Sequence, residues 1–356
     1  MVGSYPRPLW YRHQLLGRDL REAFKWQEHL QAWQDATTAV MRDQYTAGLD
    51  IVTDGQMHFD DYGGAIGSFT WFWYERIPGF DPGKHSDPMA AADGMSTSEA
   101  ENNLFQDWGG TRAVEKVRRG RPSRLVDMFQ FASSIAERPL KVSLGAGPPN
   151  LTFHVDVSGS DSAYGSEREL AEDLVPIFNA ELKELVAAGA SYVQLEDLGG
   201  WLLTPDNPEG QWVIDVMNDW IDGVDAKLAW HCCLGTDYGN PAIEFLERLP
   251  VVIENMYRVN VEQLVLDFAL REMKDVHALK NLPADKEVQA GVIDVRTLQI
   301  ETEEHVVERI HKLLEVIPAE RLYLSTDCGM RVLPRVVARE KLGVLVRAAR
   351  RVREEL

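Results

Sequence analysis

The sequence predicts an α/β fold, a single (β/α)8 TIM barrel. Three observations point to it. Eight short apolar runs rich in β-branched residues recur along the chain, amphipathic helical stretches separate them, and nearly every run ends in a polar residue able to bind or react. Continuous apolar runs fit strands buried on both faces, as parallel strands are. Regular strand–helix alternation then closes such strands into a barrel. A doubly wound open sheet would want a glycine-rich phosphate fingerprint after its first strand, and the sequence has none.

In order, the runs are Met1–Tyr5, Leu49–Gly55, Lys141–Gly147, Ser191–Leu198, Lys227–Gly235, Val251–Asn255, Glu287–Asp294 and Arg321–Gly329. Between them, Ser166–Ala190 carries Leu170, Leu174, Ile177, Phe178, Leu182 and Leu185 at helical spacing. Thr302–Val316 and Arg335–Glu355 read as helices too, with Thr302 as N-cap and Glu303 and Glu304 in the first turn. Two stretches after the second run break the alternation. Tyr62–Phe80 contains Trp71, Phe72, Trp73 and Tyr74 in a row, and Asp81–Ser123 is polar and rich in Gly, Ser and Asp. Residues 62–123 are therefore read as an insertion covering one mouth of a single catalytic barrel spanning residues 1–356. A loop of that length is usually functional or mobile. Its aromatic run is either a packed cap or the wall of a ligand pocket.

The chain has 356 residues and a net charge of −19. Hydrophobic residues make up 45% and charged ones 26%, which suits a soluble globular protein. The acidic balance argues against nucleic-acid binding and against an anionic membrane surface. No window reaches the roughly 18 apolar residues of a membrane span. The start of the chain lacks the pattern of a signal peptide, so the expected location is cytoplasmic. The three cysteines, Cys232, Cys233 and Cys328, are too sparse for a disulfide framework. They read as thiols in a reducing compartment, with metal ligation to be tested.

Reacting groups of such barrels sit at the C-terminal ends of strands. The fifth run ends in His231-Cys232-Cys233, the sixth holds Glu254, and the eighth ends in Asp327-Cys328-Gly329. Side chains alternate along a strand, so His231 and Cys233 share a face and Cys232 opposes them. His231, Cys233, Glu254 and Cys328 could then converge on one ion. Two thiolates, an imidazole and a carboxylate suit tetrahedral zinc. Taken singly, each cysteine could equally be a small buried hydrophobe. A free thiol, with a pKa near ~8.5, is a poor nucleophile at neutral pH, and zinc deprotonates it. Thiolate-rich zinc favours alkyl transfer to sulfur over hydrolysis, which more often uses histidines and carboxylates. Gly3 and Ser4 offer backbone donors to a substrate, although Gly3 could simply make a turn. Asp294 is assigned to orienting the thiol or relaying a proton, the alternative being a helix N-cap.

Val2-Gly3-Ser4-Tyr5-Pro6, Ala146-Gly147-Pro148-Pro149, Val193-Gln194-Leu195-Glu196-Asp197, His231-Cys232-Cys233, Val252-Ile253-Glu254, Gly291-Val292-Ile293-Asp294 and Thr326-Asp327-Cys328-Gly329 occur in that order. Together they resemble the C-terminal catalytic barrel of cobalamin-independent methionine synthase, from residue 1 to about residue 350. The resemblance implies zinc held at His231, Cys233, Glu254 and Cys328, and a zinc-bound thiol that attacks an electrophilic carbon.

The chain departs from that family in three ways. It has one barrel where the full-length enzymes resemble two, and so looks like the short members, whose methyl donor is often a methylated corrinoid or corrinoid protein. Gln56 stands where the family has a glutamate that binds the amino group of homocysteine, and Glu196 stands where the family has aspartate and could compensate. Arg296 stands where the long enzymes have a histidine, and an arginine could hold an anionic group. Gln56, Arg296 and Arg7 would also suit the related epoxyalkane:coenzyme M transferase, whose thiol ends in a sulfonate. Outside alkyl transfer, the alternatives are a uroporphyrinogen decarboxylase-like enzyme, which would leave the metal set unexplained, and a non-catalytic zinc-binding protein. The expected partners are thus a small-molecule thiol and an alkyl donor.

Overall fold

Seven parallel strands, joined in chain order, curl into the sheet that carries the molecule. They are β1 (Val52–Thr53), β2 (Leu140–Ala146), β3 (Tyr192–Glu196), β4 (Lys227–His231), β5 (Gln263–Asp267), β6 (Glu287–Ile293) and β7 (Leu322–Thr326). The computed structural model describes residues 1–8, 10–11, 27–59, 70, 72–81, 111–120, 123–153, 155–205, 207, 210–233, 236–237, 240–241, 249–331 and 333–356. Trp71 and most of the expected 62–123 insertion lie outside the described residues. Phe72, Trp73 and Tyr74 are buried, and Trp73 packs 4.5 Å from Phe178.

The N-terminal segment closes the curl. It forms no strand, yet it bonds to both edges of the sheet. Toward β1, Thr53 Oγ1 donates to the Gly3 carbonyl at 2.9 Å and the Tyr5 N–H donates to Gly55 at 3.1 Å. Toward β7, the Val2 N–H donates to Thr326 Oγ1 at 3.3 Å and the Met330 N–H to the Ser4 carbonyl at 2.9 Å. Met1–Tyr5 therefore fills the eighth position of a barrel, which is the expected fold class.

Helices form the outer layer. α1 is Gln27–Ala47, α2 Leu125–Ser134, α3 Pro148–Thr152, α4 Glu167–Ala187, α5 Gln211–Ile221, α6 Leu249–Met256, α7 Glu303–Leu314 and α8 Arg335–Glu355. The expected apolar stripe of α4 is buried, and Ser166 caps the helix by accepting from the Glu169 N–H. Thr302 caps α7 through His305 N at 3.2 Å. Among the described residues, no helix is long and apolar enough to cross a membrane.

One expected strand is a helix. Val251–Asn255 lies within α6, where Leu249, Val252, Ile253 and Met256 are buried. Those positions follow the i, i+3, i+4, i+7 spacing of a helix, and this periodicity outweighs the β-branched content of the run. The real strand at that place in the sheet is β5, which pairs with β4 through Trp230↔Leu264 and His231↔Val265.

The barrel interior holds polar side chains, and each must find a partner there. The Lys141 ammonium donates to the carbonyl oxygens of Gln194 and, at 2.8 Å, of Gln289. Burial pushes its pKa down to about 7. The unfolded chain keeps that proton up to the ordinary lysine range, near ~10.4. Between these values unfolding takes up a proton, so raising the pH favours the folded state. Thermal melts from pH 7 to 10 should show Lys141→Met losing part of the wild-type rise in stability. Parallel curves would contradict the assignment.

Candidate metal centre

Strand alternation and the β3–β4–β5 register build the site. His231 is the last residue of β4, Cys233 lies two residues beyond it, and Cys328 lies two beyond β7. One ligand atom from each of the three falls within 4.8 Å of the other two. Cys232 points the other way, as alternation requires. A Cβ on Gly200 would lie 2.6 Å from its sulfur, so this thiol packs outward against the 3-10 turn Leu198–Leu202. Burial raises its pKa well above the ordinary range, which keeps it an inert thiol.

His231 is oriented from behind. Its Nδ1 bonds to Glu196 Oε2, and Glu196 is the direct strand partner of His231 in the β3–β4 register. Glu196 Oε1 accepts from Gln194 Nε2 at 2.6 Å, Gln56 Nε2 at 3.1 Å and Ser143 Oγ at 3.2 Å. Both carboxylate oxygens are engaged within the protein, Oε1 by three donors and Oε2 by His231. Glu196 thus holds the histidine in place. Burial alone would raise the Glu196 carboxyl, but the His231 charge and hydrogen bond, with Gln194 and Lys141, hold it below its usual range. Burial would likewise lower His231, and Glu196 outweighs it and raises it.

His231 Nε2 is buried and, among the described residues, has no hydrogen-bond partner. An orphaned imidazole nitrogen beside two sulfurs, backed by a carboxylate on the other ring nitrogen, is what a metal-ligating histidine looks like. The donor set fits a thiophilic divalent ion such as zinc.

Glu254 does not join this set, which corrects the sequence-based expectation. It is exposed on α6 and accepts from Asn281 Nδ2 at 2.7 Å. Glu254→Ala should therefore keep full zinc content and alter stability by no more than about 0.5 kcal/mol, read by metal analysis and thermal melts. A zinc-free variant would contradict the placement.

The carboxylate nearest in role is Asp267, which the sequence reading missed. It is fully buried at the end of β5, next to β4, and its charge acts on His231. Arg271 Nη1 also reaches it at 3.1 Å. The signal was available, since Gln263–Asp267 is another apolar run ending in an acid. Asp327 fixes this corner. Its carboxylate accepts the N–H groups of Phe268 at 3.0 Å, Ala269 at 2.9 Å and Leu270 at 2.7 Å, tying the exit of β5 to that of β7. A Cβ on Gly291 would lie 2.2 Å from Asp327 Oδ1, so glycine is required there.

Of the expected substrate residues, Gly3, Ser4 and Gln56 come to the same mouth. A Cβ on Gly3 would sit 2.3 Å from Gln56 Nε2, and one on Gly329 1.8 Å from Ser4 Oγ. Both glycines exist for close approach. Gln56 adopts a left-handed conformation, φ 54°, that turns its amide toward Glu196. Asp294 and Arg296 follow β6 and are half-buried. Their polar contacts are with each other and with Glu301: Asp294 Oδ1 accepts the Arg296 N–H at 2.8 Å, and the Asp294 N–H donates to Glu301 Oε1 at 2.8 Å. Thr302, not Asp294, caps α7.

Known proteins resemble the chain over most of its length. Residues 117–351 match the family model described as "Cobalamin-independent synthase, Catalytic domain". The methionine synthase of Saccharolobus solfataricus is 32% identical over 370 residues, covering 100% of this chain and 95% of that one. That of Sulfurisphaera tokodaii is 31% identical over 371 residues, covering 100% and 92%. Among solved structures, a B12-independent methionine synthase from Shewanella sp. W3-18-1, in complex with selenomethionine, superposes with a TM-score of 0.77 at 25% identity, covering 100% and 97%. A methyltransferase from Methanosarcina mazei shares the fold with a TM-score of 0.57 at 14% identity, covering 99% and 93%. A cobalamin-independent family lends no support to the expected corrinoid donor.

Proposed function

Because the chain belongs to the cobalamin-independent methionine synthase family through its catalytic domain, we propose that it is a zinc-dependent S-methyltransferase that methylates a homocysteine-type thiol. The observation that carries this reading is the convergence of His231, Cys233 and Cys328 at the C-terminal mouth of the barrel, with His231 Nε2 left open toward them. The relatives' name and the selenomethionine in the Shewanella structure support an amino-acid thiol.

In this reading His231, Cys233 and Cys328 hold the ion, and Asp267 contributes a fourth, anionic group. Zinc, when bound, keeps a substrate thiol deprotonated and nucleophilic at neutral pH. Glu196 fixes the His231 tautomer by accepting the Nδ1 proton, so that Nε2 faces the metal. Gly3 and Ser4 offer backbone groups to the thiol substrate, and the Gln56 amide lies beside Glu196 at the same opening. Asp294 orients the thiol or relays a proton, with Arg296 beside it to hold an anion.

The test crosses homocysteine and coenzyme M with methyl-folate, methylcobalamin and epoxypropane on the zinc-loaded protein. Methionine formation that stops on chelation is expected. Epoxide opening by coenzyme M without methionine formation would replace this reading with the epoxyalkane transferase.

A further inference from the structure

Among the described residues, four buried polar atoms without hydrogen-bond partners fall in one place: Arg7 Nη1, Asp54 Oδ2, and both ring nitrogens of His58. The place is the turn Asp54–Phe59 that follows β1, together with the arginine lying on it. Arg7 Nη2 donates to the backbone carbonyls of Phe59 at 2.5 Å and Gln56 at 3.4 Å. Arg7 is 7% exposed and His58 1%. His58 Nδ1 lies 3.2 Å from Asp54 Oδ2 without hydrogen-bond alignment, while Asp54 Oδ1 accepts the Gln56 N–H at 2.9 Å.

A buried guanidinium normally finds a carboxylate, because desolvating the charge without one costs several kcal/mol. Among the described residues, Arg7 has only two neutral carbonyls, both on Nη2. Neither zinc ligation nor the holding of His231 uses it. Yet the same turn carries Gln56, whose side chain reaches Glu196 and through it His231. The turn on which Arg7 lies is therefore linked to the metal centre through Gln56 and Glu196.

We propose that Arg7 and His58 form a subsite for a substrate carboxylate, with Arg7 Nη1 pairing with one carboxylate oxygen and the imidazole bonding to the other. Guanidinium–carboxylate pairs combine charge with directional hydrogen bonds, and a carboxylate here would satisfy the two orphaned donors, Arg7 Nη1 and one ring nitrogen of His58. This inference rests on the S-methyltransferase reading, in which two ligands can bring a carboxylate: the amino-acid thiol, and a methyl-folate through its glutamate tail. The turn selects for the tail of a substrate, leaving the sulfur to the metal.

The experiment uses calorimetric titration of the zinc-loaded full chain with two ligand pairs. One pair is homocysteine and 3-mercaptopropylamine, which lacks the carboxylate. The other is 5-methyltetrahydrofolate and 5,6-dimethyltetrahydropterin, which lacks the tail. In the wild type, losing the carboxylate should weaken one pair by about 10-fold or more, and that pair identifies the source. Arg7→Gln should bring the carboxylate-bearing member down to its analogue while zinc content stays unchanged. The inference is overturned if the wild type binds both members of each pair within about two-fold, a result that needs no variant to fold. It is also overturned if zinc-replete Arg7→Gln still discriminates. Homocysteine methylation without carboxylate discrimination would remove this inference alone. No thiol binding at all would remove the functional reading with it.

Discussion

Cys328→Ala and Cys233→Ala are each expected to leave the protein without zinc after dialysis and without measurable methyl transfer. Either change removes one of two sulfurs from a site whose three donors lie within 4.8 Å of one another. Loss of a thiolate should weaken the metal by at least about 1,000-fold, roughly 4 kcal/mol. Cys232→Ala is the control, because that sulfur packs against Gly200 in the outer layer. It should keep stoichiometric zinc and lose only about 1 kcal/mol of stability. Metal analysis of the three variants decides the matter. Zinc retained without Cys328, or lost without Cys232, would reverse the assignment.

Glu196→Leu carries the second large effect. The change leaves His231 Nδ1, Gln56, Gln194 and Ser143 without their shared acceptor. Outer carboxylates of this kind are worth about 10–100-fold in metal affinity or activity. Competition with a chelator should show zinc binding weakened by that factor. An unchanged zinc affinity with a raised KM for the thiol would instead return Glu196 to substrate binding, the role expected from the sequence alone.

Much of this site is legible in the primary structure because strand alternation is a strict rule. It places His231 and Cys233 together and sends Cys232 outward from the residue order alone. The run ending at Cys328 points to the same mouth for the same reason. Glu254 misleads because the β-branched content of its run suggests a strand, although Leu249, Val252, Ile253 and Met256 follow a helical period. That slip hid β5 and with it Asp267. The Glu196–His231 bond depends on the register of adjacent strands, which one sequence does not fix. The burial of the Arg7 charge against backbone carbonyls of the Gln56–Phe59 turn is a tertiary contact, and no residue pattern encodes it.

The proposal as a whole depends on a thiol joining the metal held by His231, Cys233 and Cys328. X-ray absorption at the zinc edge, before and after homocysteine is added, measures this directly. Two sulfur neighbours rising to three is the expected result. A sulfur count that does not change at saturating homocysteine would contradict it.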